Sequence, residues 1–228
     1  MNPLISNLDR SKVVRSIELL GYPCSGKSTL SISLDKNSIY KVITVAPEYF
    51  GILANPIFGR LYAFIRMPLI SILAYFLSLQ VAIKSRNLFA PRYVLTLQRS
   101  LLISQTSSYP CIVEESAFHV LWVIFVDGLS ESKLVHFLLD KLIRMMYDGS
   151  MKIVFLNIPK PMLLSRIVNR SKPSSRFSSS SRLNVSRILN RDWLYPFIMQ
   201  TLYEIAPLNI VKISFNECNN IESVISFL

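Results

Sequence analysis

Cysteine is scarce in this chain of 228 residues, which carries Cys24, Cys111 and Cys218 and no others. Their wide spacing fits neither the paired ligands of a zinc site nor the framework of a disulfide-rich domain. Both classes are therefore excluded, and a reducing cytoplasm is the expected compartment. The N-terminal residues also lack the uninterrupted apolar run of a signal peptide, because Asp9 and Arg10 break it.

Acidic residues are few as well. The chain has 14 Asp and Glu against 25 Lys and Arg, which gives a formal net charge of +11. Such an excess indicates an anionic partner, namely a nucleotide, a nucleic acid or an acidic membrane face, and charge alone does not choose among them. The length suits one domain, and a hydrophobic content of 51% is enough for a large core.

Short apolar runs alternate with helical patterns along the chain, and no internal repeat is visible. This alternation predicts an α/β fold with a parallel sheet covered on both faces. Pro196 is expected to bend or break the helix in which it lies. The predicted strands are residues 13–20, 40–46, 111–113, 152–158 and 209–215. The predicted helices are residues 28–34, 57–86, 92–107, 117–127, 132–147, 161–170, 184–205 and 220–228. For residues 117–127 a strand is the alternative, because the run is apolar throughout most of its length.

The most hydrophobic segment, residues 67–83, reaches the lower length limit of a membrane helix and is bracketed by Arg66 and Lys84. A single crossing is disfavoured, because the strands before and after it are expected to pair in one sheet. An even number of crossings, an interfacial hairpin and a pair of well-buried helices all stay open.

A phosphate-binding loop follows the first predicted strand and precedes a helix. Its sequence, GYPCSGKS, fits the pattern G-x-x-x-x-G-K-[ST], in which backbone N–H groups and the helix N-terminus surround phosphates. Lys27 is expected to reach the β- and γ-phosphates, Ser28 to ligate Mg²⁺, and Thr29 to contact a phosphate nearer the ribose. The residues predicted to bind nucleotide are Gly21, Tyr22, Pro23, Cys24, Ser25, Gly26, Lys27, Ser28 and Thr29.

Cys24 stands where many such loops have glycine. If the position requires a positive φ, a cysteine there costs on the order of 1 kcal/mol. A tolerated small residue is one interpretation. A redox role is another, since a helix N-terminus lowers the pKa of a thiol.

Carboxylates follow two of the predicted strands. Glu114 and Glu115 come directly after the third strand, and Glu114 is the candidate that holds Mg²⁺ through water. Glu48 follows the second strand across Pro47 and is a candidate to accept a proton from a substrate hydroxyl. The alternative for all three is a solvated charge at a strand end.

The segment from Lys160 to Arg191 contains eight Lys or Arg residues and no acid, and it is rich in serine. Arginines that close over a transferring phosphoryl group stabilise its negative charge, and a flexible segment is what a closing lid requires. Nucleic-acid contact and a solvated face are the alternatives. Single-strand binding predicts interleaved aromatic residues, whereas this segment offers Phe177 alone.

Four motifs together resemble the thymidylate kinase and deoxynucleoside kinase family of P-loop kinases, and more closely its uncharacterised bacterial relatives. They are ELLGYPCSGKSTL near the start, APE after the second strand, IVEES after the third and RIVNRSKPSSR after the fourth. The resemblance implies a five-stranded parallel sheet in the order 2-3-1-4-5, with a lid between the last two strands.

The resemblance also implies roles for individual residues. Lys27 and Ser28 would take part in ATP–Mg²⁺ binding, and Glu48 matches the family's catalytic base. The family's Glu-Arg-Ser motif matches residues 114–116, with Glu115 in the place of arginine. Such an acid pair is closer to the Asp-Glu of other P-loop proteins, in which the second acid activates the attacking group. The lid arginines carry over to Arg166, Arg170 and Arg176.

The sequence therefore predicts one P-loop kinase-like domain, with residues 49–107 as a helical acceptor-side insertion and 166–191 as the lid region. The expected function is Mg²⁺- and ATP-dependent phosphorylation of a small-molecule acceptor. The alternatives are an NTP-binding accessory protein and a membrane-surface kinase of a lipid-linked or sugar acceptor. A GTPase is unsupported, because the Asn-Lys-x-Asp motif is absent, and a nucleic-acid partner is not expected. Association with a membrane surface and formation of a homodimer are left open.

Overall fold

The computed structural model of the chain describes residues 16–22, 24–37, 41–43, 56–85, 90–106, 111–113, 116–126, 129, 131–169 and 192–214. Its strands are β1 (Ser16–Gly21), β2 (Lys41–Ile43), β3 (Cys111–Val113), β4 (Met151–Asn157) and β5 (Ile210–Ser214). Its helices are α1 (Lys27–Asn37), α2 (Pro56–Arg66), α3 (Pro68–Ser85), α4 (Ala90–Thr106), α5 (Ala117–Phe125), α6 (Lys133–Met146), α7 (Lys160–Val168) and α8 (Leu194–Ile205), and a short 3₁₀ helix, Pro207–Asn209, precedes β5.

The strands form one parallel sheet in the order β2-β3-β1-β4-β5, which is the order implied by the resemblance. The central strand, β1, pairs with β3 on one side and with β4 on the other. The carboxyl ends of parallel strands lie at one edge of a sheet, and ligands bind in the crevice outside that edge. The loop after β1 therefore occupies the middle of this edge.

The two faces of the sheet are covered by different helices, because successive side chains of a strand point to opposite faces. Ile17 and Leu19 of β1 pack in a cluster with Leu30 and Leu34 of α1. Leu20 belongs to the larger cluster that α2 to α8 form on the other face. With both faces covered, β1 is buried over its whole length. The α/β class predicted from the sequence is confirmed.

One helical prediction is wrong in detail. In place of the single helix predicted over 57–86, the structure has α2 and α3, because Pro68 has no N–H to donate to the preceding turn. The helical hydrogen bonding nevertheless continues around Met67, whose N–H donates to Ala63 and whose carbonyl accepts from Ser71. The helix that contains Pro196 begins at Leu194, so Pro196 lies in its first turn, where N–H groups have no partner within the helix; residues 184–191 of the predicted helix lie outside the described residues.

The helices α2 and α3 are not a well-buried pair. Each buries one face in the larger core cluster and exposes large apolar side chains on the other, among them Leu69 at 64% and Ile83 at 74%. In the part of the chain that the structure describes, no helix has the length and hydrophobicity needed to cross a membrane.

Candidate nucleotide-binding site

The loop predicted to bind phosphate connects β1 to α1 and has the backbone of an anion-binding turn. Cys24 and Gly26 have positive φ angles of 65° and 98°, and the N–H of Ser25 donates to the Tyr22 carbonyl at 3.1 Å. Helix α1 begins directly after Gly26, so its first N–H groups, which have no partner within a helix, adjoin the loop. The positive φ considered for Cys24 is therefore found, and its cost is about 1 kcal/mol.

The side chain of Lys27 folds back over this loop. Its Nζ donates to the carbonyls of Gly21 at 2.7 Å and Tyr22 at 3.1 Å, so the ammonium group lies beside the loop rather than in solvent. Ser28 and Thr29 follow in the first turn of α1, and both are exposed. A cation at the loop and hydroxyl groups at a helix N-terminus fit a phosphate chain with a bound Mg²⁺.

Gly21 is required for the close approach of this loop to the sheet. A Cβ at this position would lie 2.4 Å from the Ser25 Oγ and 3.2 Å from the Leu156 Cβ. We expect Gly21→Ala to displace Ser25 and to weaken nucleotide binding by about tenfold, since backbone shifts of this kind cost about 1–3 kcal/mol. Adding Ser25→Gly removes the obstructing side chain and should restore part of the affinity, measured by titration of a fluorescent ATP analogue. Gly149→Ala is the control for a strained glycine substitution away from the loop, because Gly149 has a φ of 82° and a Cβ there meets nothing within 4 Å; it should lower stability and leave nucleotide affinity unchanged.

Arg166 of α7 also contacts the loop. Its Nη1 donates to the Cys24 carbonyl at 3.4 Å and lies 3.9 Å from the position that a Cβ on Gly26 would take. Two basic side chains, Lys27 and Arg166, thus border one loop. This places the first of the predicted lid arginines at the predicted phosphate site.

A carboxylate that the sequence interpretation missed, that of Asp192, is hydrogen-bonded to the loop. Asp192 accepts hydrogen bonds through Oδ2 from the Tyr22 hydroxyl at 2.8 Å and from the Trp122 Nε1 at 3.0 Å. Through Oδ1 it accepts from the backbone N–H groups of Leu194 and Tyr195, both at 3.1 Å, at the start of α8. One side chain therefore connects the phosphate loop with α5 and α8.

Aromatic rings surround this carboxylate. The Tyr22 ring stacks on Tyr195 with centroids 4.3 Å apart and meets Trp122 edge-on at 5.6 Å. Burial raises the pKa of Asp192 above its usual range, and the four hydrogen bonds oppose that shift. Burial also raises the pKa of Tyr22, and the charge of Asp192 adds to the effect, so the phenol stays protonated and donates.

His119 of α5 also lies close to the loop, next to Lys27 and the Gly21 backbone. Burial lowers its pKa well below the usual value, and the nearby charge of Lys27 lowers it further, while a hydrogen bond to the Gly21 backbone acts in the opposite direction. The ring also stacks on Trp122 at 5.9 Å. A neutral imidazole beside Lys27 leaves the positive charge at the loop to Lys27 and Arg166.

Glu18, in the middle of β1, is a second carboxylate that the sequence interpretation missed. It is fully buried and accepts hydrogen bonds from the Ser104 Oγ at 2.5 Å, the Ser116 Oγ at 2.7 Å and the Ala117 N–H at 3.2 Å. Ser116 in turn caps α5 by accepting from the Phe118 N–H at 3.2 Å. Glu18 therefore fixes the start of α5, directly after the predicted metal-binding residues in the sequence.

The environment of Glu18 predicts a pH-dependent stability. Burial raises its pKa above 4.5, and the three hydrogen bonds only oppose that shift. A raised pKa means that the folded state holds the proton more tightly, so this contribution to stability is lost as pH rises through the folded-state value. We expect the unfolding free energy of the wild type to fall relative to that of Glu18→Gln as the pH rises above 4.5, measured by urea denaturation. The exposed Glu204→Gln is the control, and equal pH slopes for all three proteins would contradict the assignment.

Several predicted site residues lie outside the described residues. They are Pro23 of the loop, the three glutamates predicted as base or metal ligand, Glu48, Glu114 and Glu115, and the lid arginines Arg170 and Arg176. The sequence prediction for each of these stays a prediction.

No protein-family model matches the chain, and no curated protein matches it in sequence. Solved structures do match the chain, and two of them are of one enzyme. Deoxyadenosine kinase from M. mycoides with bound dCTP is 10% identical, with a TM-score of 0.46 over 92% of this chain and 97% of that chain. The M. mycoides enzyme with products dCMP and a flexible dCDP is 12% identical, with a TM-score of 0.42 over 92% and 96%. Both likenesses are to the same enzyme, and each extends over most of both chains.

Proposed function

We propose that this chain is an ATP- and Mg²⁺-dependent phosphotransferase that acts on a small-molecule acceptor, in the manner of nucleoside and nucleotide kinases. The observation that carries the proposal is the pair of cations at one loop. Lys27 donates to the carbonyls of Gly21 and Tyr22, and Arg166 donates to that of Cys24. Backbone N–H groups and one lysine suffice to hold a triphosphate, whereas an added guanidinium suits the charge that develops during transfer.

In this proposal the loop binds the phosphates through its backbone N–H groups, and Lys27 binds the β- and γ-phosphates. Ser28, with Glu114 through water, would hold Mg²⁺, which when bound neutralises charge on the phosphate oxygens. Thr29 contacts a phosphate nearer the ribose. The cation pair therefore lies at the end of the nucleotide where the reaction occurs.

The reaction transfers the γ-phosphoryl group from ATP to an acceptor hydroxyl. The bond between the γ-phosphorus and the bridging oxygen breaks, ADP leaves, and a new P–O bond forms to the acceptor oxygen. Glu48 or Glu115 accepts the hydroxyl proton. Arg166, with Arg170 and Arg176 from the lid segment, stabilises the negative charge on the transferring group.

The test is acceptor-dependent formation of ADP by the full chain with Mg²⁺. Pools of nucleosides, nucleotides and sugars are added separately, and ADP is measured against a reaction without acceptor. A rise of at least tenfold with one pool supports the proposal, and Arg166→Ala should lower the rate with that pool by roughly 10²-fold. Tight ATP binding with no pool raising ADP formation would contradict it in favour of an NTP-binding accessory protein.

A further inference from the structure

The helices α2 and α3 carry a continuous apolar stripe on their solvent side. On α3 it consists of Leu69, Ile72, Phe76, Leu79 and Ile83, all exposed and spaced alternately three and four residues apart. Residues at this spacing share one face of a helix. The opposite face of α3 is buried in the core, so the stripe is a second apolar face rather than a gap in the packing.

The stripe continues onto α2. Leu61, Phe64 and Ile65 are exposed there, and Ile65 lies four residues before Leu69. The hydrogen bonds from Met67 to Ala63 and from Ser71 to Met67 carry helical geometry across the junction, which keeps the exposed faces of the two helices on the same side. The whole stripe comprises these three residues of α2 and the five of α3.

The apolar area of the stripe exceeds that of an ordinary surface. Eight large side chains, each exposed by about half or more, present on the order of 800 Å², against about 300–600 Å² for the largest patch on a typical monomer. A contiguous patch of this size marks an interaction surface.

The charges beside the stripe are all of one sign. Arg60 and Arg66 are exposed on α2, Lys84 is exposed on α3, and the Arg66 guanidinium lies 5.5 Å from the Tyr62 ring. At 100° per residue, Arg60 falls on one side of the apolar arc and Arg66 on the other. The sequence has no Asp or Glu from residue 49 to residue 113, so both helices lack a negative side chain.

The charge pattern identifies the partner. An isologous contact with a second copy would bring Arg60, Arg66 and Lys84 against the same cations, with no carboxylate on either helix to offset them. A bilayer surface with anionic lipids offers both complements, since acyl chains take up the apolar stripe and negative headgroups pair with the flanking cations. The net charge of +11 draws the whole chain towards such a surface. We infer that the stripe of α2 and α3 docks on the surface of a membrane that contains anionic lipid, with both helices lying in its plane.

The test is co-sedimentation of the full chain with vesicles. Vesicles of phosphatidylglycerol and phosphatidylcholine in equal parts are compared with pure phosphatidylcholine at 0.05 and 0.5 M salt. We expect binding to the anionic vesicles and at least tenfold less to the neutral ones. The charge substitution Arg60→Gln/Arg66→Gln/Lys84→Gln should weaken binding to anionic vesicles on the order of 10²-fold, because each of the three cations contributes somewhat less than about tenfold.

A matched pair of variants separates the stripe from general basicity. Phe76→Glu/Leu79→Glu places two charges on the stripe, whereas Phe137→Glu/Leu134→Glu makes the same changes at the same spacing on the exposed side of α6. The first should lower the vesicle partition coefficient at least tenfold more than the second, with thermal midpoints and ATP binding unchanged in both. Both variants gain two negative charges, so the effect of net charge on binding is the same in each and cancels in the comparison.

Three outcomes would overturn the inference. One is a lack of binding to anionic vesicles by a folded wild-type chain. Another is equal loss of binding in the two glutamate variants, which would leave basic charge alone as the cause. The third is a dimer, detected by sedimentation at micromolar concentration, that Phe76→Glu/Leu79→Glu dissociates, because the stripe would then be covered by a second copy.

Discussion

Lys27→Ala is expected to lower ATP turnover by about 10²–10³-fold or more, the loss typical when a preorganised charge at a reacting group is removed. The ammonium of Lys27 already lies at the loop, bonded to the carbonyls of Gly21 and Tyr22, so it meets the phosphates without rearrangement of the backbone. Lys27→Arg should also be strongly impaired, because a planar guanidinium does not reproduce a compact ammonium. ADP formation measures the effect on turnover, and titration with an ATP analogue measures the effect on binding.

The control for this prediction lies on the same helix. Lys36→Ala removes an exposed lysine from the last turn of α1, far from the loop, and should change neither turnover nor binding. The thermal midpoints of both alanine variants should stay within a few degrees of the wild type, since neither lysine belongs to the core. A Lys27→Ala protein that turns over ATP within threefold of the wild type would contradict the role given to the loop.

Asp192→Ala is expected to produce the largest loss of stability, about 3–5 kcal/mol. Its carboxylate accepts from Tyr22, Trp122, Leu194 and Tyr195, so truncation leaves two side-chain donors and the start of α8 without an acceptor. Nucleotide affinity should fall as well, because the Tyr22 ring belongs to the phosphate loop. Urea denaturation gives the free energy, and Asp192→Asn, which keeps one oxygen, should lose less than the alanine variant.

Asp140→Ala is the matched control for a lost aspartate. Asp140 pairs with Arg144 on the exposed side of α6, at 2.9 Å, and exposed pairs contribute about 0.2–1 kcal/mol. A double-mutant cycle of Asp192→Asn with Tyr22→Phe isolates the bond between loop and carboxylate. If Asp192→Ala lowers the free energy of unfolding by no more than Asp140→Ala does, the hydrogen bonds of Asp192 to the loop and to α8 do not stabilise the fold.

The arrangement of strand, loop and helix at residues 16–37 was predictable because the motif consists of neighbours in sequence. A strand, a glycine turn, Lys27 and a helix start lie within one short stretch, so the pattern specifies the geometry. The basic segment predicted that arginines would lie near the loop, but it did not predict that Arg166 would contact the Cys24 carbonyl. What brings it there is the pairing of β4 with β1, which carries α7 to the loop.

Asp192 could not be assigned from sequence because its side-chain donors, Tyr22 and Trp122, come from two elements that are distant in sequence. One signal was present, since it is the first acid after the run without acids that ends at Arg191. Glu18 also left a signal, as a charged residue inside the apolar strand sequence SIELLG. In both cases a buried carboxylate indicates that donors must converge on it, but only the fold identifies them.

The exposed face of α3 was not predictable for a different reason. Hydrophobicity in residues 67–83 correctly indicates that the helix needs apolar surroundings. Composition does not say whether such surroundings come from the same chain or from a partner. Leu69 and Leu77 are chemically identical, yet Leu77 is fully buried and Leu69 is exposed, because the fold covers only one side of the helix.

The central position of β1 has a consequence for synthesis of the chain. Ile17 pairs with Ile112 and Lys152, so on the ribosome β1 emerges long before either neighbour. Helices α2 to α4 lie between β1 and β3 in sequence and are made in the interval, with the core-facing sides of their apolar residues uncovered. Contacts this distant in sequence slow folding and prolong exposure to aggregation. The topology that places this loop at the centre of the sheet thus lengthens the time for which the apolar helices of the nascent chain are uncovered.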